Sequence, residues 1–237
     1  MQNNKHYAYY SPFKMVDNEG VEYILKVEQD DIAESPREWD NVCTMVCFHN
    51  RYDLGDKHDY DDGDEFFTYI LCEICGMDED DIDELSTREK YRLANESDKV
   101  YFKDLNLYDH SGLTISTSSG YPYNDYWDAG CVGWIYVSKE RIFKECMGIT
   151  EENWQERADK ILEGEVETYD QYLKGEVYGF VLTKKIIEQE KCPHCGEIIR
   201  EWEDEDEVDS CWGFYGDCLE ENGILDNVSS LKFIEKE

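Results

Sequence analysis

TEENWQERADKILEGEVETYDQYLKGEVYGFVLT, residues 150–183, reads as a helix followed at once by a strand. Thr150 is a capping residue, and Glu151 and Glu152 suit the positive end of a helix dipole. Apolar side chains then recur at Trp154, Ala158, Ile161/Leu162, Val166, Tyr169 and Leu173, the spacing of one helix face, and Gly175 closes the run. Residues 176–183 form a short apolar run of the kind a buried strand shows.

Working outward, the same two periods alternate. Residues 21–28 read as a strand; residues 42–48 do too, although a short buried helix fits them as well. Asp64-Glu65 opens a helical pattern at Phe66/Phe67, Ile70/Leu71 and Ile74, and Gly76 stands just past its end, so the spacing predicts a helix over 65–75. Ser86-Thr87-Arg88-Glu89 is a capping box for a second helix to about Asn95. Strand-like runs at 105–108, 113–117 and 132–137 follow, then a short helix over 139–147. Helices and strands interleave without a βαβ rhythm, which predicts an α+β fold with a mixed or antiparallel sheet and flanking helices. Residues 184–191 change composition and lead into a Cys-rich tail. The expected division is therefore an α+β core over 1–188 and a small Cys-rich, zinc-binding C-terminal element over 189–237, packed on the core.

Charge limits the function. The chain has 237 residues, 57 acidic and 23 basic, so its formal charge is 23 − 57 = −34. Apolar residues at 41% and aromatics at 14% argue for a folded chain rather than a disordered acidic one. There is no apolar run of the length a membrane span needs, and the first residues lack a signal-peptide core; the chain reads as a soluble protein of the bacterial cytoplasm. Without a basic patch it is not expected to bind nucleic acid directly or to sit on an anionic membrane. The acidity fits solubility, a basic protein partner or metal binding. Gly-x-Ser-x-Gly, P-loop and Gly-x-Gly-x-x-Gly patterns are absent, which removes the usual support for esterase, NTPase and dinucleotide readings.

Ten cysteines in a reducing compartment are expected to be thiols or metal ligands. Cys192-Pro193-His194-Cys195-Gly196 is the turn that supplies half of a tetrahedral zinc site, and Cys211 and Cys218 are the candidates for the other half. A site with His194 or an acid replacing one thiol is the alternative, as is a hairpin of free thiols. Four thiolates would make the zinc structural, with no open position for substrate. Cys72 and Cys75 fall at i, i+3 on an apolar helix face and read as core thiols, as do Cys43 and Cys47.

Two polar stretches, 49–58 and 108–112, combine histidines with carboxylates. Together His49, Asp53, His58, Asp109 and His110 could hold a divalent metal or act as general acids and bases; Gly55 and Gly112 also mark both stretches as ordinary turns. The loop around Tyr123, Tyr126 and Trp127 is dense in the aromatics that anchor interfaces.

Five stretches taken together, 35–49 beginning Ser35-Pro36-Arg37-Glu38-Trp39-Asp40-Asn41, Tyr108-Asp109-His110-Ser111-Gly112, Trp127-Asp128-Ala129-Gly130, 165–173 beginning Glu165-Val166-Glu167-Thr168-Tyr169, and 209–216 beginning Asp209-Ser210-Cys211-Trp212, resemble a family of proteins encoded by bacteriophages and other mobile elements. The resemblance spans about 35–220. It implies a phage or prophage origin and carries no reaction with it. Such an origin, joined to the charge, leads to the expectation of an accessory protein that inhibits a host defence or nucleic-acid-processing protein by binding its basic surface, in the manner of a DNA mimic. Asp61, Asp62 and Asp64, with Asp204, Glu205 and Asp206, are the expected acidic contacts, and Tyr123, Tyr126 and Trp127 the expected anchors. The alternative is a metal-dependent hydrolase of a nucleotide or signalling molecule, built on His49, Asp53, His58, Asp109 and His110.

Overall fold

The computed structural model describes residues 5–110, 112–118 and 129–234. In chain order the strands are β1 (Phe13–Val16), β2 (Glu22–Gln29), β3 (Thr44–Cys47), β4 (Val100–Asp109), β5 (Leu113–Ser116), β6 (Ala129–Ser138), β7 (Val177–Lys191), β8 (Ile198–Tyr215) and β9 (Lys232–Phe233). The α-helices are α1 (Gly63–Tyr69), α2 (Glu79–Ile82), α3 (Thr87–Glu96), α4 (Lys139–Glu145), α5 (Trp154–Leu173), α6 (Leu219–Asn222) and α7 (Ile224–Asn227). Every strand pairing is antiparallel, in two separate sheets, so the chain is α+β.

The chain divides into two compact units, 35–174 and 1–34 with 175–237. The boundary expected at 188/189 falls inside β7, whose residues pair with β2 on one side and β8 on the other. Composition changes there because the strand leaves the core, not because a domain ends.

Unit 35–174 is a four-stranded sheet, β3-β6-β4-β5, buried on both faces. The two-residue period sorts the side chains: Met45, Leu105, Leu107, Ile135 and Val137 pack against α5 through Ala158, Leu162, Val166 and Tyr169. Val46, Val100 and Phe102 point the other way, onto Phe66, Phe67, Ile70 and Leu71. The helix expected over 65–75 is present as α1 continued by a π-helical turn, Ile70–Ile74. Its cap is Asp62 rather than Asp64, because the Asp62 carboxylate accepts from the amides of Asp64 (2.9 Å) and Glu65 (3.1 Å). The capping box at Ser86 is present, with Ser86 Oγ and Glu89 bonding reciprocally. Helix α5 begins at Trp154, one turn later than its acidic start suggests, because residues 150–153 form a turn in which Asn153 Oδ1 accepts from Thr150 N–H (2.8 Å).

The second unit is a five-stranded sheet, β8-β7-β2-β1-β9. Met15, Leu25, Val27, Phe180 and Leu182 line one face, and Leu219, Ile224 and Val228 from the two short C-terminal helices close over it. Among the described residues no helix is long and apolar enough to cross a membrane.

Candidate functional site

A long run of unpaired charge lies on β8. Residues 201–209 hold seven acids, Glu201, Glu203, Asp204, Glu205, Asp206, Glu207 and Asp209, and no base. Every residue from Ile198 to Gly213 is exposed. Strand β2 pairs with β7 only as far as Tyr23 opposite Lys184, so beyond that point β7 and β8 form a two-stranded ribbon. Seven more residues carry β7 to Lys191, about 23 Å at the rise of an extended chain. A six-residue connection, 192–197, joins the strands.

Of the seven acids, only Glu205 has a cation partner among the described residues: Lys26 Nζ donates to it at 2.6 Å, Thr183 Oγ1 at 3.1 Å, and both bonds hold its carboxyl below the ordinary glutamate range. Glu201 accepts from Gln189 (2.7 Å) and Glu207 from Ser210 (3.0 Å). Asp204 and Asp206 stand on one face with Trp202, since the pairs Glu188–Trp202, Ile186–Asp204 and Lys184–Asp206 share a side; Glu201, Glu203 and Glu205 stand on the other. The strand therefore presents carboxylates to both sides. The Arg200 guanidinium lies 5.4 Å from the Trp202 ring centre.

The other expected acidic contacts have structural employment. Asp62 caps α1, and Asp64 accepts from Lys90 Nζ (2.6 Å) and Thr87 Oγ1 (2.8 Å), which hold its carboxyl below the usual range. Lys90 is itself buried, with Thr68 as a second acceptor (3.0 Å). Asp61 is exposed. Tyr123, Tyr126 and Trp127 lie outside the described residues.

The histidines and acids of the hydrolase alternative are only partly gathered. His49 stacks on Tyr52 at 5.1 Å and accepts through Nδ1 from Tyr52 N–H (3.2 Å), which closes its own turn. Tyr52 Oη donates to Asp109 (3.0 Å), and Arg51 lies 3.5 Å from the same carboxylate. His110 packs by Tyr108, ring centres 5.9 Å apart. His58 belongs to another group: it stacks with Tyr60 and lies tilted against Phe48, and its Nε2 meets the Cys47 carbonyl at 3.0 Å. Asp53 lines a cavity of about 400 Å³ that His49, His58, Asp109 and His110 do not line.

The four-cysteine site does not assemble. Cys192 and Cys195 share the ribbon turn, but Cys211 sits opposite Phe180, far down the strand, and Cys218 bridges to Tyr7 after β8 has ended. Thirteen extended residues separate Cys211 from Ile198, about 43 Å. Among the described residues no three His, Cys, Asp or Glu side chains converge to hold a metal. Cys43 and Cys47 are buried as expected of core thiols; burial pushes the Cys47 thiol up to about 12.

One polar centre has no counterpart in the sequence reading. Arg37, its side chain only 4% exposed, donates Nε and Nη2 to Asp56 (2.9 and 2.7 Å), Nη1 to Glu165 (2.9 Å) and Nη2 to the Cys43 carbonyl (3.0 Å). The carboxylates reach further: Asp56 accepts from Met45 N–H (2.7 Å), and Glu165 from the amides of Val42 (2.9 Å) and Cys43 (3.0 Å). Burial opposes the charge on Arg37, yet the bonds to Asp56 and Glu165 hold its guanidinium above the ordinary value. With four of its five N–H donors spent on the protein, Arg37 ties the start of β3 to α5. A scarce base between Pro36 and Glu38 is the only local hint of it.

Comparison with family models, curated proteins and solved structures finds no match for this chain.

Proposed function

We propose that the chain is a binding protein whose acidic ribbon occupies the basic, nucleic-acid-binding surface of another protein. The supporting observation is a spacing. Seven carboxylates fall in nine extended residues of β8 and alternate between its faces, so those on one face recur every ~6.6–6.8 Å, close to two ~3.4 Å phosphate steps along one DNA strand. Among the described residues six of the seven have no cation partner, so their charge is directed to solvent or to a partner. The resemblance to bacteriophage-encoded proteins makes a host defence or nucleic-acid-processing protein the class of target. Charge complementarity of this kind raises the association rate, and exposed Trp202 and Trp212 on the same strand supply aromatic contact.

The test is capture of a basic nucleic-acid-binding protein from a bacterial lysate, followed by kinetics at varied salt. Reversal of Glu203, Asp204 and Asp206 to Lys should slow association at least tenfold while changing dissociation less. Double-stranded DNA should compete with the ribbon for the captured protein. Binding that ignores both salt and competing DNA would remove the mimic reading.

A further inference from the structure

The turn at the ribbon's end is built as one half of a metal site. Cys192 N–H donates to the Glu197 carbonyl (2.8 Å) and Gly196 N–H to the Cys192 carbonyl (2.9 Å). Gly196 takes φ +75°, a conformation in which an L side chain is strained. The loop so closed sets Cys192 and Cys195 on one tight turn, three residues apart. A closed Cys-x-x-Cys turn of this kind is what supplies two of the four sulfurs of a tetrahedral zinc ion.

Among the described residues no other half stands beside it. Cys211 and Cys218 are at the far end of β8. The acid bonded to the knuckle, Glu197, accepts from the Cys195 thiol at 3.7 Å and does not complete a set of three converging donors.

We infer that one zinc ion joins two copies of this chain tip to tip, held by Cys192 and Cys195 of each. Structural zinc takes four ligands, and two knuckles related by a two-fold axis supply four sulfurs. Uptake converts four thiols to four thiolates and releases four protons to solvent for each zinc ion. The tip also carries far less charge than the strand that follows it. From Glu188 to Arg200 there are three acids (Glu188, Glu190, Glu197) and two bases (Lys191, Arg200), a net of −1, against −7 over 201–209. Ile198 and Ile199, beside the knuckle, are 52% and 62% exposed, apolar surface that a second tip would cover.

The experiment uses the full chain, reduced and stripped of metal, titrated with zinc chloride and followed by sedimentation and metal analysis. The mass should double from the 28.0 kDa of one chain, saturate at one zinc per two chains, and return to monomer with a chelator. Cobalt in place of zinc should give the sulfur-to-metal absorption of a four-thiolate site. Cys192→Ser with Cys195→Ser should lose both metal and dimer, whereas Cys211→Ser should keep both. One zinc per monomer, no zinc uptake, or a zinc dimer that survives the double substitution would each overturn the inference; the titration of the unmodified chain decides it even if the double variant misfolds.

Discussion

Replacing Arg37 by Met should be among the most damaging single changes in the unit formed by residues 35–174. The side chain is 4% exposed, and its partners Asp56 and Glu165 are 21% and 13% exposed. Met keeps much of the volume but removes four hydrogen bonds and, among the described residues, the only cation in contact with both carboxylates. What remains is two neighbouring negative groups, held by the amides of Met45, Val42 and Cys43 alone. Breaking a buried pair from one side costs about 3–5 kcal/mol, because the partner charge stays desolvated. At about 2–4 °C per kcal/mol for a chain of this size, the melting temperature should fall by roughly 6–20 °C. Urea and thermal unfolding, followed by far-UV circular dichroism and by fluorescence of the buried Trp154, measure it. Arg37→Lys should lose roughly half as much, since an ammonium keeps the charge but not the fork. Adding Asp56→Asn and Glu165→Gln to Arg37→Met should restore part of the loss, because the uncompensated charge goes with them. A loss under about 1 kcal/mol in Arg37→Met, or a Lys variant as stable as the parent, would refute this reasoning.

Three further outcomes are expected. Lys90 and Thr87 depress the Asp64 carboxyl, so their pairing contributes above the unfolded value near ~3.9 and is lost as pH falls through the lower folded value; Asp64→Asn should therefore be less stable at pH 7, with the gap closing as pH falls below the unfolded value, and a pH-independent gap would contradict it. Iodoacetamide at neutral pH should label Cys192 well before Cys47, whose thiol burial raises to about 12, and mass spectrometry showing equal native-state rates would count against the structure. Gly133→Ala should cost about 1–3 kcal/mol, since the new Cβ would lie 1.9 Å from the Val46 carbonyl oxygen, a backbone atom that cannot swing aside; an unchanged urea midpoint would show that β3 and β6 are further apart.

The α+β class, helix α5, the capping box at Ser86 and the strands of the central sheet are legible in the sequence because each signal is local. A cap, an apolar period and a terminal glycine lie within one run of residues, and burial on one face preserves the period. Strand β8 escaped that reading for a physical reason. Seven acids in nine residues have poor strand propensity, and with both faces in solvent no apolar alternation marks them. Their extended form comes from pairing with β7, which the sequence shows only as a change of composition. The same long pairing decides the cysteines: spacing along the chain suggests that Cys192, Cys195, Cys211 and Cys218 can meet, but the register sets Cys211 opposite Phe180 and leaves the knuckle alone at the tip. Arg37 is the plainest case. Its acceptors lie 19 and 128 residues away, and no local pattern connects them. The sequence by itself determined the main helices and the strands of the central sheet, since those choices rest on neighbours in the chain. Which charges are buried together, which stand free on the ribbon and which thiols share a turn was decided only by tertiary structure, because a charge's neighbours in space are set by strand register and packing.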